Sequence, residues 1–180
     1  MTETLAYDVE QKDGSFEMRK YGHYILAQVD IEASFDKAIV KGFRILANYI
    51  FGGNKKRSQI AMTAPVVEES EKIEMTTPVT EEREGNFQRI SFAMPSKYTI
   101  DSLPEPDDKR IHFKEFKNQE TAVLRFKGRV KEKLATEMVE ELKRWLYKNH
   151  IEPKSNFMVA QYNHPAVPGF LRRNEIIVEI

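Results

Sequence analysis

The side chains of this sequence that could do chemistry are few in kind. Histidine stands at positions 23, 112, 150 and 164, and there is no cysteine. Disulfides, thiolate metal sites, thiol nucleophiles and thioether-linked haem are thereby excluded together. His23 falls in a turn, His112 in a strand, and His150 at a helix end, where the dipole favours a cation. His164 sits beside Pro165 in a loop. Met62 and Met75 carry thioether sulfurs that can ligate iron, although strand methionines also serve as core packing. Glu68-Glu69 and Glu81-Glu82 are doubled carboxylates, expected at strand ends and facing water. No G-x-S-x-G, H-E-x-x-H or P-loop is present, so no nucleophile–base pair is read and the chain is not expected to be an enzyme.

One stretch is said twice. Ile60-Ala61-Met62-Thr63-Ala64-Pro65-Val66-Val67-Glu68-Glu69 is followed thirteen residues on by Ile73-Glu74-Met75-Thr76-Thr77-Pro78-Val79-Thr80-Glu81-Glu82. Both copies read as extended, with Ile60 and Met62 on one side. A proline inside a strand removes a ladder donor, so each copy should be an edge or carry a bulge.

The elements around these residues follow from periodicity. The chain has 180 residues, is 41% hydrophobic, and carries 28 Lys+Arg against 28 Asp+Glu. That suits one domain over 1–180 with a real core. A zero formal charge argues against a nucleic-acid partner. No apolar run approaches the roughly 20 residues of a membrane span, and the first residues lack the pattern of a signal peptide. The expectation is a soluble cytoplasmic protein. Strands are read at 5–12 (an edge), 16–20, 24–31, 88–94, 111–116, 121–126, 157–162 and 174–180. In 24–31, Ile25, Ala27, Val29 and Ile31 alternate with Leu26, Gln28 and Asp30, which predicts a sheet with one buried face. Helices are read at 34–51, entered at Ser34 and stopped by Gly52-Gly53-Asn54, and at 131–149. The order strand pair, helix, strands occurs in both halves, roughly 16–94 and 111–180. This predicts an α+β fold of pseudo-duplicated ββαββ halves, with two helices on a curved, largely antiparallel sheet.

The two helices differ. The second has one apolar stripe, Leu134, Ala135, Met138, Val139, Leu142, Trp145 and Leu146, and a charged back. The first carries Phe35, Ala38, Ile39, Gly42, Phe43, Leu46, Tyr49 and Ile50 toward the core. Val40, Ala47 and Phe51 form a second ridge, within about 40° of one another at 100° per residue. Beside them lie Lys37, Lys41, Arg44 and Asn48. An apolar ridge next to a cationic one fits a flat amphipathic ligand bearing acid groups. Cover by neighbouring loops and a protein-docking surface are the other readings of the same pattern.

Several phrases, in order, resemble the SOUL/haem-binding protein family. They are Phe16-Glu17-Met18-Arg19-Lys20-Tyr21; Asn48-Tyr49-Ile50-Phe51-Gly52-Gly53-Asn54 leading into Ile60-Ala61-Met62-Thr63-Ala64-Pro65-Val66; Met94-Pro95-Ser96-Lys97-Tyr98 with Leu103-Pro104-Glu105-Pro106; and Arg172-Arg173-Asn174-Glu175. The resemblance implies a distorted β-barrel with two helices, similar to bacterial effector-binding domains of the gyrase-inhibitor type. It also implies non-covalent binding of haem or another tetrapyrrole in a groove along the first helix, closed by residues 164–171. On that basis the ligand-binding candidates are Val40, Phe43, Arg44, Ala47, Asn48, Phe51, Phe170 and Leu171. Val40 and Asn48 stand where family members carry propionate-binding cations, a departure that shifts the role to Lys37, Lys41 or Arg44. His164, in the groove-closing loop, is the metal-ligand candidate, and apolar contact without a protein–iron bond is the leading mode. The expected function is a haem carrier or buffer. A sensor of other amphipathic small molecules and a partner-docking module are the alternatives.

Overall fold

The computed structural model describes residues 2–70 and 87–180. The second Met-Thr-x-Pro-Val phrase, with Met75, Glu81 and Glu82, lies outside the described residues. In chain order the elements are β1 (Glu3–Thr4), β2 (Tyr7–Asp13), β3 (Phe16–Tyr21), β4 (Tyr24–Glu32), α1 (Phe35–Ile50), β5 (Thr63–Ser70) and β6 (Phe87–Ala93). There follow β7 (His112–Phe116), β8 (Gln119–Phe126), α2 (Glu132–Lys148), β9 (Met158–Gln161), a single 3-10 turn (Gly169–Leu171) and β10 (Asn174–Glu179).

The strands form one curled sheet in the order β2-β3-β8-β10-β9-β5-β6-β4-β7, antiparallel throughout that path, with β1 added parallel to β5. The order from β3 to β7 reads the same when β3, β4, β5 and β6 are exchanged for β7, β8, β9 and β10. The strands of the two halves meet in the middle, where β5 pairs with β9. β2 is an edge, as its weak alternation suggested.

Both helices lie on one face. α1 packs on β4 and β6, and α2 on β8 and β10. Each covers its own core. Leu46, Tyr49, Ile50, Val29, Ile90 and Phe92 are buried under α1. Leu142, Leu146, Leu124, Ile176 and Val178 are buried under α2. Gly42 lets α1 sit close, because a Cβ there would overlap the Ile90 side chain. Trp145 of α2 stacks on Phe16 at 5.1 Å between ring centroids, and its indole N–H donates to Asp13 Oδ2 at 2.8 Å. α1 begins at Ser34, whose side chain makes no capping bond. It stops where Gly52 takes φ +112°, a conformation open to glycine. The buried Asn54 amide then holds the stop, donating to the carbonyls of Tyr49 and Ser58.

Two expectations need correction, and the expectation that the proline strand is an edge or carries a bulge is met by its second alternative. β4 is covered on both faces, since Leu26 and Gln28 are as buried as Ile25 and Ala27. The curl of the sheet gives its other face a small core of its own, with Val67, Val123, Ala160 and Ile177 buried there. β5 is an interior strand and accommodates Pro65 by the irregular alternative: its register against β6 jumps between Thr63 and Val66. Ile60 and Met62 do not share a side. The strand starts only at Thr63, Ile60 is core, and Met62 is 40% exposed.

Candidate functional site

Between the two helices, two cavities open over the β5–β9 seam on the helix face. The first, of about 340 Å³, lies between α1 and the loop after β9. Its apolar wall is Ile39, Phe43, Met62 and Val66, and His164 and Pro165 face them from the loop. Of the residues singled out by sequence, Phe43 and His164 line this cavity. Val40, Ala47 and Phe51 continue its wall outward. By helical geometry their ridge begins roughly 40° round α1 from Phe43, and Arg44, Lys37 and Lys41 follow beyond it. Two of the three ridge residues are open, Val40 at 50% and Phe51 at 67% exposure, while Ala47 is half-buried against the core under α1. Arg44 and Asn48 are exposed on the same flank. Lys37, Lys41 and Arg44 have no hydrogen-bond or ion-pair partner among the described residues.

Phe170 and Leu171 are placed elsewhere. They are exposed on the 3-10 turn, which is tied to the start of the α2 segment by the bond from Gly128 N–H to the Gly169 carbonyl. Leu171 borders a separate opening beside Gly14, Arg125 and Lys127. The loop therefore reaches the groove only through its first part, at 163–165.

Two details of the groove bear on a bound tetrapyrrole. Thr63, which lines the cavity, has a buried Oγ1 with no hydrogen-bond partner among the described residues. The His164 Nδ1 accepts a bond from the Ala166 N–H at 3.1 Å. That bond places the proton of the neutral ring on Nε2, so ligation of iron through Nε2 would require the opposite tautomer and loss of the bond. The apolar wall, the ridge and the cations fit a porphyrin with its acid groups, whereas the His164 geometry does not favour an axial bond. Among the described residues no group of three or more His, Asp or Glu is placed to hold a metal ion.

The opposite face carries a polar cluster that sequence reasoning missed. Two of the quoted phrases, 16–21 and 172–175, converge there. Arg19, fully buried, donates from Nη1 and Nη2 to the two oxygens of Glu175, each at 2.9 Å, and from Nε to Glu17 at 2.7 Å. Its guanidinium lies 4.0 Å from the centre of the Tyr7 ring. Glu175 also accepts from Tyr162 Oη at 2.8 Å and from Arg173 Nη2 at 2.7 Å. Burial acts to raise the Glu175 pKa, but the bonds and charges of Arg19 and Arg173 outweigh it and hold the carboxyl below its usual range. Burial pushes the Tyr21 hydroxyl up to about 12. The charged alternation Glu17-x-Arg19 inside a strand was the available signal, since a period-two polar row in a buried strand must find partners.

Glu68 overturns its expectation. It is 1% exposed, on the helix face of the interior strand β5, and borders the second cavity. It faces the protein because β5 is flanked by β9 and β6 rather than by solvent.

The fold is that of the effector-binding, gyrase-inhibitor-like domains. It is similar to the EcmrR C-terminal domain, with a TM-score of 0.67 over 97% of this chain and 98% of that one at 11% identity. A hydrolase from Listeria innocua shares it with a TM-score of 0.58, covering 94% and 93%, at 12% identity. The family model described as SOUL heme-binding protein matches residues 2–179, and the chain belongs to that family. It is 29% identical to Heme-binding protein 1 of Xenopus tropicalis over 169 residues, 92% of this chain and 84% of that protein. No helix among the described residues is long and apolar enough to cross a membrane.

Proposed function

We propose that this protein binds haem or a related tetrapyrrole non-covalently in the groove between α1 and the loop at 163–165, as a carrier or buffer in the cytoplasm. The observation that carries this reading is the continuity of the cavity wall with a largely exposed apolar ridge and then with cations that have no partner among the described residues. A porphyrin face is apolar and its edge carries two carboxylates. Phe43, Val40, Ala47 and Phe51 would meet the face by area burial. Arg44, Lys37 or Lys41 would meet the acid edge. His164 would close the groove as a wall rather than as an iron ligand. Family membership and the similarity to a protein named for haem binding support a binder rather than a catalyst. The exposed Phe51 and Val40 give the protein-docking reading its one support, because uncovered apolar ridges also mark interfaces.

Haem titration followed at the Soret band tests the proposal. Saturation near one equivalent is expected, with at least tenfold weaker binding for the Val40→Asp, Ala47→Asp double variant. Iron-free protoporphyrin should bind with the same affinity as haem. A flat absorbance response, or a double variant that binds like the parent, would overturn the groove assignment.

A further inference from the structure

The second cavity of the seam has a feature that packing alone does not explain. Its volume is about 310 Å³, and it lies over β5 and β9 between Phe35 at the start of α1 and the first half of α2. Phe35, Val139, Phe157 and Val159 make its apolar walls. At its floor lies the Glu68 carboxylate, 1% exposed, with neither oxygen hydrogen-bonded. Buried carboxylates are ordinarily satisfied by two or more donors. Glu132 and Glu140 stand exposed on its α2 side. The cation nearest to hand, Lys143, is engaged at the rim, bonded to Glu140 at 2.9 Å and 5.5 Å from the Phe157 ring centre.

The geometry points to a second ligand site in this cleft, taking a primary ammonium ion with an apolar body whose N–H groups fill the two vacant acceptor positions of Glu68. The apolar walls suit a small aryl or alkyl group, and Glu132, exposed on the α2 side, adds negative potential at the mouth. A neutral ligand of the same shape would leave Glu68 without its charge partner. Burial, reinforced by the charges of Asp36 and Glu132, raises the carboxyl to about 8. At neutral pH the free site therefore holds a proton, and an arriving ammonium displaces it to solvent. This site is independent of the haem groove: failure of the haem titration leaves it standing, and its own failure leaves the groove untouched.

The probe is 2-phenylethylammonium chloride, titrated calorimetrically at pH 7 in two buffers of different ionisation enthalpy. Binding is expected, with release of close to one proton per ligand that fades by pH 9. The isosteric neutral 2-phenylethanol should bind at least tenfold more weakly, and Glu68→Gln should lose at least tenfold in affinity for the ammonium and all proton release. A circular dichroism melt of that variant verifies that it is folded. No binding of the probe, equal affinity in Glu68→Gln, or equal affinity for the alcohol would each overturn the site.

Discussion

Glu175 and Glu68 are buried to the same depth, at 0% and 1% exposure, in opposite electrical surroundings. Glu175 is saturated: two arginines and a tyrosine hydroxyl fill its oxygens. Glu68 has no hydrogen-bond partner among the described residues, and two further carboxylates act on it. One is held ionised and the other is pushed toward its neutral form. Depth of burial therefore does not decide what a carboxylate does in this fold; the donors brought to it by strand register do. β3, β8 and β10 lie side by side and carry Arg19, Arg125 and Glu175 on one face. β5 and β9 meet in the gap between the helices and, among the described residues, deliver no donor to Glu68.

The comparison breaks most visibly at Arg19. Arg19→Met leaves Glu175 and Glu17 buried without their main counter-charge, which costs about 3–5 kcal/mol. Urea unfolding at pH 7 measures it, and a loss under 1 kcal/mol would mean that Arg173 and Arg125 suffice alone. At Glu68 the effect is a slope. The folded-state pKa of about 8 lies above the ordinary value of 4.5. Between those two values the folded protein keeps a proton that the unfolded chain has released. Stability contributed by this group is thus full at low pH and falls by about 1.4 kcal/mol per pH unit through that window. Glu68→Gln should match the parent near pH 5 and exceed it in stability at pH 9; parallel curves would show that Glu68 titrates normally. The smallest effect is expected at Tyr162. Tyr162→Phe removes one of several bonds to Glu175 and should cost about 1–2 kcal/mol, read from the urea midpoint. A larger loss would make the tyrosine as necessary as the arginine.

Much of this frame was legible in the sequence. Period-two and helical patterning placed both helices and most strands within a few residues, and the Gly52-Gly53-Asn54 stop followed from glycine's reach in φ. Phe43 and the second apolar ridge of α1 were readable because helical geometry is local, whereas its exposure depends on loop placement and was not. What stayed hidden depends on strand order. Arg19 and Glu175 are 156 residues apart and meet only because β8 lies between their strands. Glu68 looked like a solvated charge pair with Glu69, since a sequence does not say that its strand is interior. Phe170 and Leu171 belong to the same loop as His164, yet they sit on a 3-10 turn and do not line the cavity that His164 lines.

The seam itself gives the protein a kind of modularity. Val66 and Glu68 alternate along β5 on the helix face, and they form the floors of the two cavities. Neither belongs to the fully buried centre under a helix. Substitution of Glu68 leaves both helix cores in place, whereas substitution of Val66 also touches the core under α1. For the two proposed ligand sites, the side chains of a single strand would set what each cavity accepts.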